Sequence, residues 1–300
     1  MISIRNICLV LSFLIVGTLS AQQRSTARVD SATTALDSKI EVYRKENIPY
    51  KKPVPYAPVR EADILFEYTV WREIDLRQKQ NYPLYFPTNP KVIGSRINFF
   101  TLLMQGIERG EITPYDPFPT SDEFAMKISW EDINTNPSIK GADRTEQQIS
   151  VFTGNDTVIH VKGKNLLEEE SIQRILVKEK IYFDKRHSTL NRRVIGIRPD
   201  FMVLREGADQ PVRVPVCWIY FDEARPLLSR HAVYNDYNEA QNISYDDFFM
   251  QHRYNGLIRK IGNIYNNREI GEYASGLDAL YEAQRIEQMI FDDEQDLWEY

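Results

Sequence analysis

Lys178-Glu-Lys-Ile-Tyr-Phe-Asp-Lys185, a polar turn through Arg186-His-Ser-Thr-Leu-Asn191, and Arg192-Arg-Val-Ile-Gly-Ile-Arg198 form one run of sequence. It resumes after a break as Val212-Arg-Val-Pro-Val-Cys-Trp-Ile-Tyr-Phe221. Two β-rich segments joined by a short polar turn read as a hairpin. In the last segment Val212, Val214, Val216, Trp218 and Tyr220 recur every second residue, so on a strand they share one face. Ile219 and Phe221 make the far end of the other face apolar as well, which predicts a strand covered on both sides. The expected core is an antiparallel meander.

Outward from this core the pattern changes period. Ile64, Tyr68, Trp71 and Ile74 follow steps of three and four and predict a helix over Arg60–Gln80, with Trp71 in the core, closed by Asn81-Tyr-Pro83. A second helix is expected after a Ser95 cap, burying Phe99, Phe100, Leu103, Met104 and Ile107 and ending at Gly110. Residues Glu131 to Gly163 read as polar and irregular, with at most a hairpin between Ile149–Phe152 and Thr157–Val161. Pro226 to Ala240 reads as a loop. Ser244 with Asp247 three residues on has capping-box spacing and opens a helix carrying Phe248 and Phe249. Gly276 to Phe291 predicts a long helix with Ala279, Ala283, Ile286 and Ile290 on one side. The fold class that results is α+β, an antiparallel β-meander sheet packed by several α-helices in a single main domain spanning 60–300.

The N-terminal segments carry a different message. Arg5, the apolar run Ile7–Leu19 and the small residues Thr18-Leu-Ser-Ala21 read as a secretory signal peptide over 1–21. Residues 22–59 read as a flexible arm whose end, Tyr50-Lys-Lys-Pro-Val-Pro-Tyr-Ala-Pro58, is proline-stiffened. The arm is either a linker or a strap that buries Tyr50 and Tyr56 against a neighbouring subunit. The mature protein is expected to be exported and soluble, without a lipid anchor and without a membrane span.

Composition narrows the chemistry. The formal charge of -6, from 37 basic and 43 acidic residues in a chain of 300, gives no general attraction to nucleic acid or anionic lipid. Cys217 alone remains beyond the leader, which excludes an internal disulfide, and its apolar neighbours predict a buried, inert thiol. The four histidines, His160, His187, His231 and His252, lack metal-ligand spacing, and Gly163-Lys164 fails the phosphate-loop pattern. No cofactor is expected. Asp184, Asp200 and Asp222 fall near strand ends, and they support an alternative reading as an exported hydrolase acting on cell-wall glycan. Lys185, Arg186, Arg192 and Arg193 flank the hairpin turn, either as turn solubilisers protecting an edge or as a docking tip for an acidic partner surface.

Several stretches in order resemble one family, the gliding-motility and secretion proteins called GldN or PorN. They are Trp71-Arg-Glu-Ile-Asp-Leu-Arg77 running into Tyr82-Pro-Leu-Tyr-Phe-Pro87, then Gly110-Glu-Ile-Thr-Pro-Tyr-Asp116. Phe183-Asp-Lys-Arg-His-Ser188, Arg193-Val-Ile-Gly-Ile197 and Trp218-Ile-Tyr-Phe221 with Arg225 follow. Ser244-Tyr-Asp-Asp-Phe-Phe249 with Arg253, Asn263-Ile-Tyr265, Gly276-Leu-Asp-Ala-Leu280 and Asp296-Leu-Trp298 complete the set. Asp222 departs from the family's tendency to proline there. The resemblance implies a non-enzymatic periplasmic scaffold of the type IX secretion system. It also implies a ring formed with an outer-membrane lipoprotein of the GldK or PorK type, in contact with the periplasmic part of a GldM- or PorM-type inner-membrane motor protein.

Overall fold

A computed structural model describes residues 48, 50–88, 97–118, 123–140, 144–149, 156–161, 167, 172–203, 211–235, 238, 241 and 243–297. The leader, most of the arm and Ser95 lie outside the described residues. In chain order the elements are β1 (Ile64–Asp75), α1 (Tyr82–Tyr85), α2 (Phe99–Glu108), β2 (Pro114–Tyr115), α3 (Trp130–Thr135) and α4 (Pro137–Lys140). A hairpin of β3 (Arg144–Ile149) and β4 (Asp156–Val161) follows, then β5 (Ile172–Asp184), β6 (Thr189–Val203), β7 (Val212–Pro215) and β8 (Trp218–Tyr220). The chain continues through α5 (Phe221–Leu228), β9 (Ala232–Val233), β10 (Ile243–Ser244), α6 (Tyr245–Met250), β11 (Leu257–Ile261), α7 (Ile270–Tyr273) and α8 (Leu277–Gln295).

The central hairpin is β5–β6, paired from Ile172↔Phe201 to Asp184↔Thr189. Its turn is Lys185–Ser188, one residue earlier than the sequence suggests, and Thr189 to Asn191 already belong to β6. Asp184 explains the turn: its carboxylate accepts from the Arg186 amide at 2.8 Å and pairs with His187 Nδ1 at 2.6 Å. Short polar side chains that bond the backbone two residues on favour such turns. Around this hairpin a seven-stranded antiparallel sheet runs in the order β11-β1-β5-β6-β8-β2, with β7 also on β6.

The expected helix over Arg60–Gln80 is instead strand β1. Phe66, Tyr68, Val70, Arg72 and Ile74 alternate with Leu65, Glu67, Thr69, Trp71 and Glu73. Both sets carry apolar residues, so four of them fall by coincidence on helical steps. The β-branched and aromatic content, and pairing on both edges with β5 and β11, decide for the strand. Trp71 is buried, as expected, at 5% exposure.

The expected single strand Val212–Phe221 is two strands and the start of a helix. β7 pairs Asp200–Val203 of β6, whereas β8 pairs Gly196 and Ile197. Pro215 cannot donate to a ladder, and Val216 and Cys217 cross between the two registers. The slip changes faces: Val214, Val216, Cys217 and Ile219 join the main core, and Trp218 lies on the other side of the sheet. Phe221 begins α5, and Pro226 sits inside that helix rather than in a loop, where burial of Phe221, Ala224, Leu227 and Leu228 offsets its missing donor.

Elsewhere α2 begins at an Asn98 cap, whose side chain accepts from Thr101 N at 2.7 Å, and ends near Gly110 at φ 73°. Ser129 and Asp132 form a capping box for α3, which runs from Trp130 into the segment read as irregular, and β3–β4 makes the hairpin there with an earlier first strand. The capping box of Ser244 and Asp247 opens α6 as expected. The expected inner side of α8 is present, with Ala283, Ile286 and Ile290 buried.

The main core gathers Ile175, Val177, Ile197 and Phe201 of the sheet with Phe99, Leu103, Phe221 and Phe249 of α2, α5 and α6. On the same face, nearer β11, Val70, Ile181 and Ile258 receive α8. The opposite face carries Trp71, Leu176, Trp218 and Tyr115 under Phe124. There the ring of Phe124 lies 2.4 Å from where a Cβ on Gly196 would stand, so any side chain at this position would have to displace that ring.

Candidate functional site

The arm does not hang free where it is described. Ile48 is buried, and Ser229 Oγ donates to the Lys51 carbonyl at 3.0 Å. Lys51 Nζ pairs with the Asp247 carboxylate, and Arg225 Nη2 donates to the Val54 carbonyl. The Tyr56 ring then lies against two guanidinium groups, Arg193 at 3.7 Å and Arg225 at 4.4 Å from its centroid. Cation–π contacts of this kind gain strength when shielded from water. Burial pushes the Tyr56 hydroxyl up to about 12, with Asp222 acting in the same direction and the two arginines opposing it.

Arg225 is itself anchored. Its Nε donates to Asp246 Oδ1 at 2.8 Å, both side chains being buried, so an ion pair between α5 and α6 presents the guanidinium that receives the arm. Just past the arm the chain meets the hairpin: Arg60 pairs with Asp63 at 2.9 Å, and the Asp63 carbonyl accepts from the Lys185 amide at 2.8 Å.

The six residues singled out from sequence therefore divide. Tyr56 and Arg193 are brought together within this chain. Lys185, Arg186 and Arg192 stand exposed at the end of the hairpin, with Arg186 Nη1 4.0 Å from Asp63. Tyr50 is 76% exposed on the arm. Sequence reasoning missed Arg225, Asp246, Ser229 and Asp247 as the arm's receptors. The available signal was Arg225 four residues after Phe221 and three before Leu228, a charge on the apolar face of an amphipathic helix, where it needs a partner.

The three strand-end carboxylates are held in separate places. Asp184 serves the turn, and its bond from His187 holds its carboxyl below the usual range. Asp200 stands on β6 eleven residues beyond Thr189, the partner of Asp184, which is about 35 Å along a strand. Paired-carboxylate hydrolysis needs roughly 5 to 9.5 Å, so these two do not form such a pair. Burial raises the Asp200 carboxyl against the pull of Arg198, which donates to it at 2.9 Å. Asp222 lies in the first turn of α5, 3.9 Å from Arg225. Cys217 is fully buried, and burial pushes its thiol well up. Among the described residues no group of three or more His, Cys, Asp or Glu is arranged to hold a metal, and no helix is long and apolar enough to cross a membrane.

The class defined by these features is an α+β protein built on an antiparallel sheet, with a strapped N-terminal arm and a basic hairpin end. The family of gliding motility associated protein GldN matches residues 59–299, and the chain belongs to that family. Membership places it among the components of gliding motility and type IX secretion. No curated protein matches the chain.

Proposed function

We propose that the protein is a non-enzymatic periplasmic scaffold subunit of the type IX secretion system. It assembles as a ring with an outer-membrane lipoprotein of the GldK or PorK type, held at the outer membrane through that partner. The ring meets the periplasmic part of a GldM- or PorM-type motor protein, and the assembly serves protein secretion. The observation that carries this reading is the family match over residues 59–299, nearly the whole described body. The exposed hairpin end with Lys185, Arg186 and Arg192, and the exposed Tyr50, supply surfaces for partners.

The test is genetic and biochemical. Deleting the gene is expected to abolish export of the system's substrates, and a copy carrying Asp184→Asn with Asp222→Asn is expected to restore it if folded. Continued export in the deletion strain would count against the scaffold. Restoration by the wild type but not by a stably folded carboxylate variant would favour a hydrolase.

A further inference from the structure

The long helix α8 has a second side. Its inner side buries Ala283, Ile286 and Ile290 against the sheet. On its outer side Leu277, Tyr281, Gln284, Gln288, Phe291 and Gln295 are all exposed and recur in alternating steps of four and three. That is the 3.5-residue spacing of a seam that receives another helix. Leu277 is 69% exposed, Tyr281 66% and Phe291 51%, with Leu280 beside them. A surface groove along the helix is lined by Tyr281, Gln284, Arg285 and Gln288. The patch continues onto Tyr273, whose hydroxyl donates to Glu282 at 3.2 Å. No described residue packs across this stripe.

Charge states what kind of helix fits. The residues flanking the seam are Asp278, Arg285 and Asp292 on one side and Leu280, Glu287 and Glu294 on the other. Of these, Glu287 reaches inward to Arg72 at 3.1 Å, yet its side chain stays 55% exposed. Leu277–Gln295 carries six carboxylates and one arginine, in a chain whose whole formal charge is -6. Glu282 pairs with Arg285 at 2.8 Å and Asp293 accepts from Tyr68 at 2.6 Å, which leaves Asp278, Asp292 and Glu294 beside the seam. The acidity of the protein is thus concentrated on this helix. Pairing α8 with a second α8 in antiparallel fashion would set Asp278 against Asp292 at both ends, and Arg285, already paired with Glu282 at 2.8 Å, could not offset them.

We propose that the outer side of α8 is a docking surface for an amphipathic helix of another protein, with an apolar seam and lysine or arginine at its flanks. The seam supplies burial and the carboxylates select a basic partner over an acidic one, including a second copy of this chain. The proposal goes beyond the scaffold reading, since it assigns a surface and a partner chemistry that family membership does not.

The experiment is site-specific photocross-linking in intact cells, with benzoylphenylalanine at Tyr281 or at Gln284 of the full chain. The expected result is one discrete adduct whose partner peptide, mapped by mass spectrometry, lies in a basic amphipathic helix. The adduct should be lost when Leu277→Ser and Phe291→Ser are added. It should weaken about tenfold, the scale of losing interface anchors, when Asp292→Lys and Glu294→Lys are added. These positions are exposed or half-exposed, and an unchanged melting temperature confirms an intact fold. An adduct to another copy, to another part of the same chain or to an acidic segment overturns the proposal, as does no adduct. An α8 variant that loses its adduct but still purifies with the lipoprotein leaves the scaffold reading standing, which keeps the two failures apart.

Discussion

At the scale of single residues, the most consequential charge is Glu179, fully buried at the centre of β5. Arg72 Nε approaches it at 3.4 Å, and the Tyr254 hydroxyl donates to it at 2.6 Å. The same arginine donates to the Gly256 carbonyl at 2.8 Å and to Glu287 of α8 at 3.1 Å. One guanidinium therefore ties β1 and β5 to the segment before β11 and to the last helix. Removing one partner of a buried ion pair leaves the other uncompensated, at a cost of about 3 to 5 kcal/mol. Glu179→Ala is expected to lose that much stability in urea unfolding, and replacing Arg72 and Glu179 together by apolar residues should recover most of it. A single substitution that leaves the midpoint unchanged would show that the network holds nothing together.

His231 makes a second test at this scale, through pH. Burial, reinforced by Arg109 and Arg230, lowers its value from 6.5 to about 4. Between those values the unfolded chain binds a proton that the folded chain refuses. Stability therefore rises with pH across this window and falls as pH drops from 6.5 toward 4, by at most about 3 kcal/mol. His231→Gln is expected to flatten that part of the stability profile. A slope identical to that of the wild type would assign the acid sensitivity elsewhere.

At the scale of elements, the arm is held by side chains on α5 and α6 as much as by its own prolines. Tyr56→Ala removes the ring from Arg193 and Arg225 and should expose the backbone around Lys51, Lys52 and Arg60 to trypsin. Limited proteolysis is expected to cut this variant in the arm several-fold faster, with the body spared; an unchanged rate would mean the ring does not hold the arm. The Ser244 cap is the comparable device on α6, and Ser244→Ala should cost about 1 kcal/mol. Elements with a local cause were legible in the sequence: the turn after Asp184, the box of Ser244 and Asp247, the stripe of Ala283, Ile286 and Ile290. Elements decided by tertiary partners were not. β1 carries apolar residues on both faces because α8 covers the side of Val70 and the Phe124 cluster the side of Trp71, and that erased the alternation which would have revealed it. The break at Val216 and Cys217 depends on where β6 accepts each strand, which no local pattern encodes. Tyr56 and Arg193 stood out in the sequence as candidate partner contacts, not as contacts of one another. Their meeting point was not legible, because Arg225 and Asp246 stand 21 residues apart and become neighbours only when α5 packs on α6.

At the scale of the whole molecule, the sheet is a rigid frame with the strapped arm, the basic hairpin end and the acidic outer side of α8 as separate surfaces. Removing residues 40–59 strips the strap from Arg225 and Asp247 and is expected to shrink the assembly while residues 60–300 keep a cooperative unfolding transition. An assembly of unchanged size after that deletion would deny the arm a part in it. The central claim, that this chain works as a structural subunit of a secretion assembly, is tested most directly by purifying the tagged full-length protein from cell envelopes and imaging what accompanies it. The expected result is a large ring-shaped complex containing an outer-membrane lipoprotein in stoichiometric amount. A monodisperse monomer from cells that express every candidate partner would contradict the account.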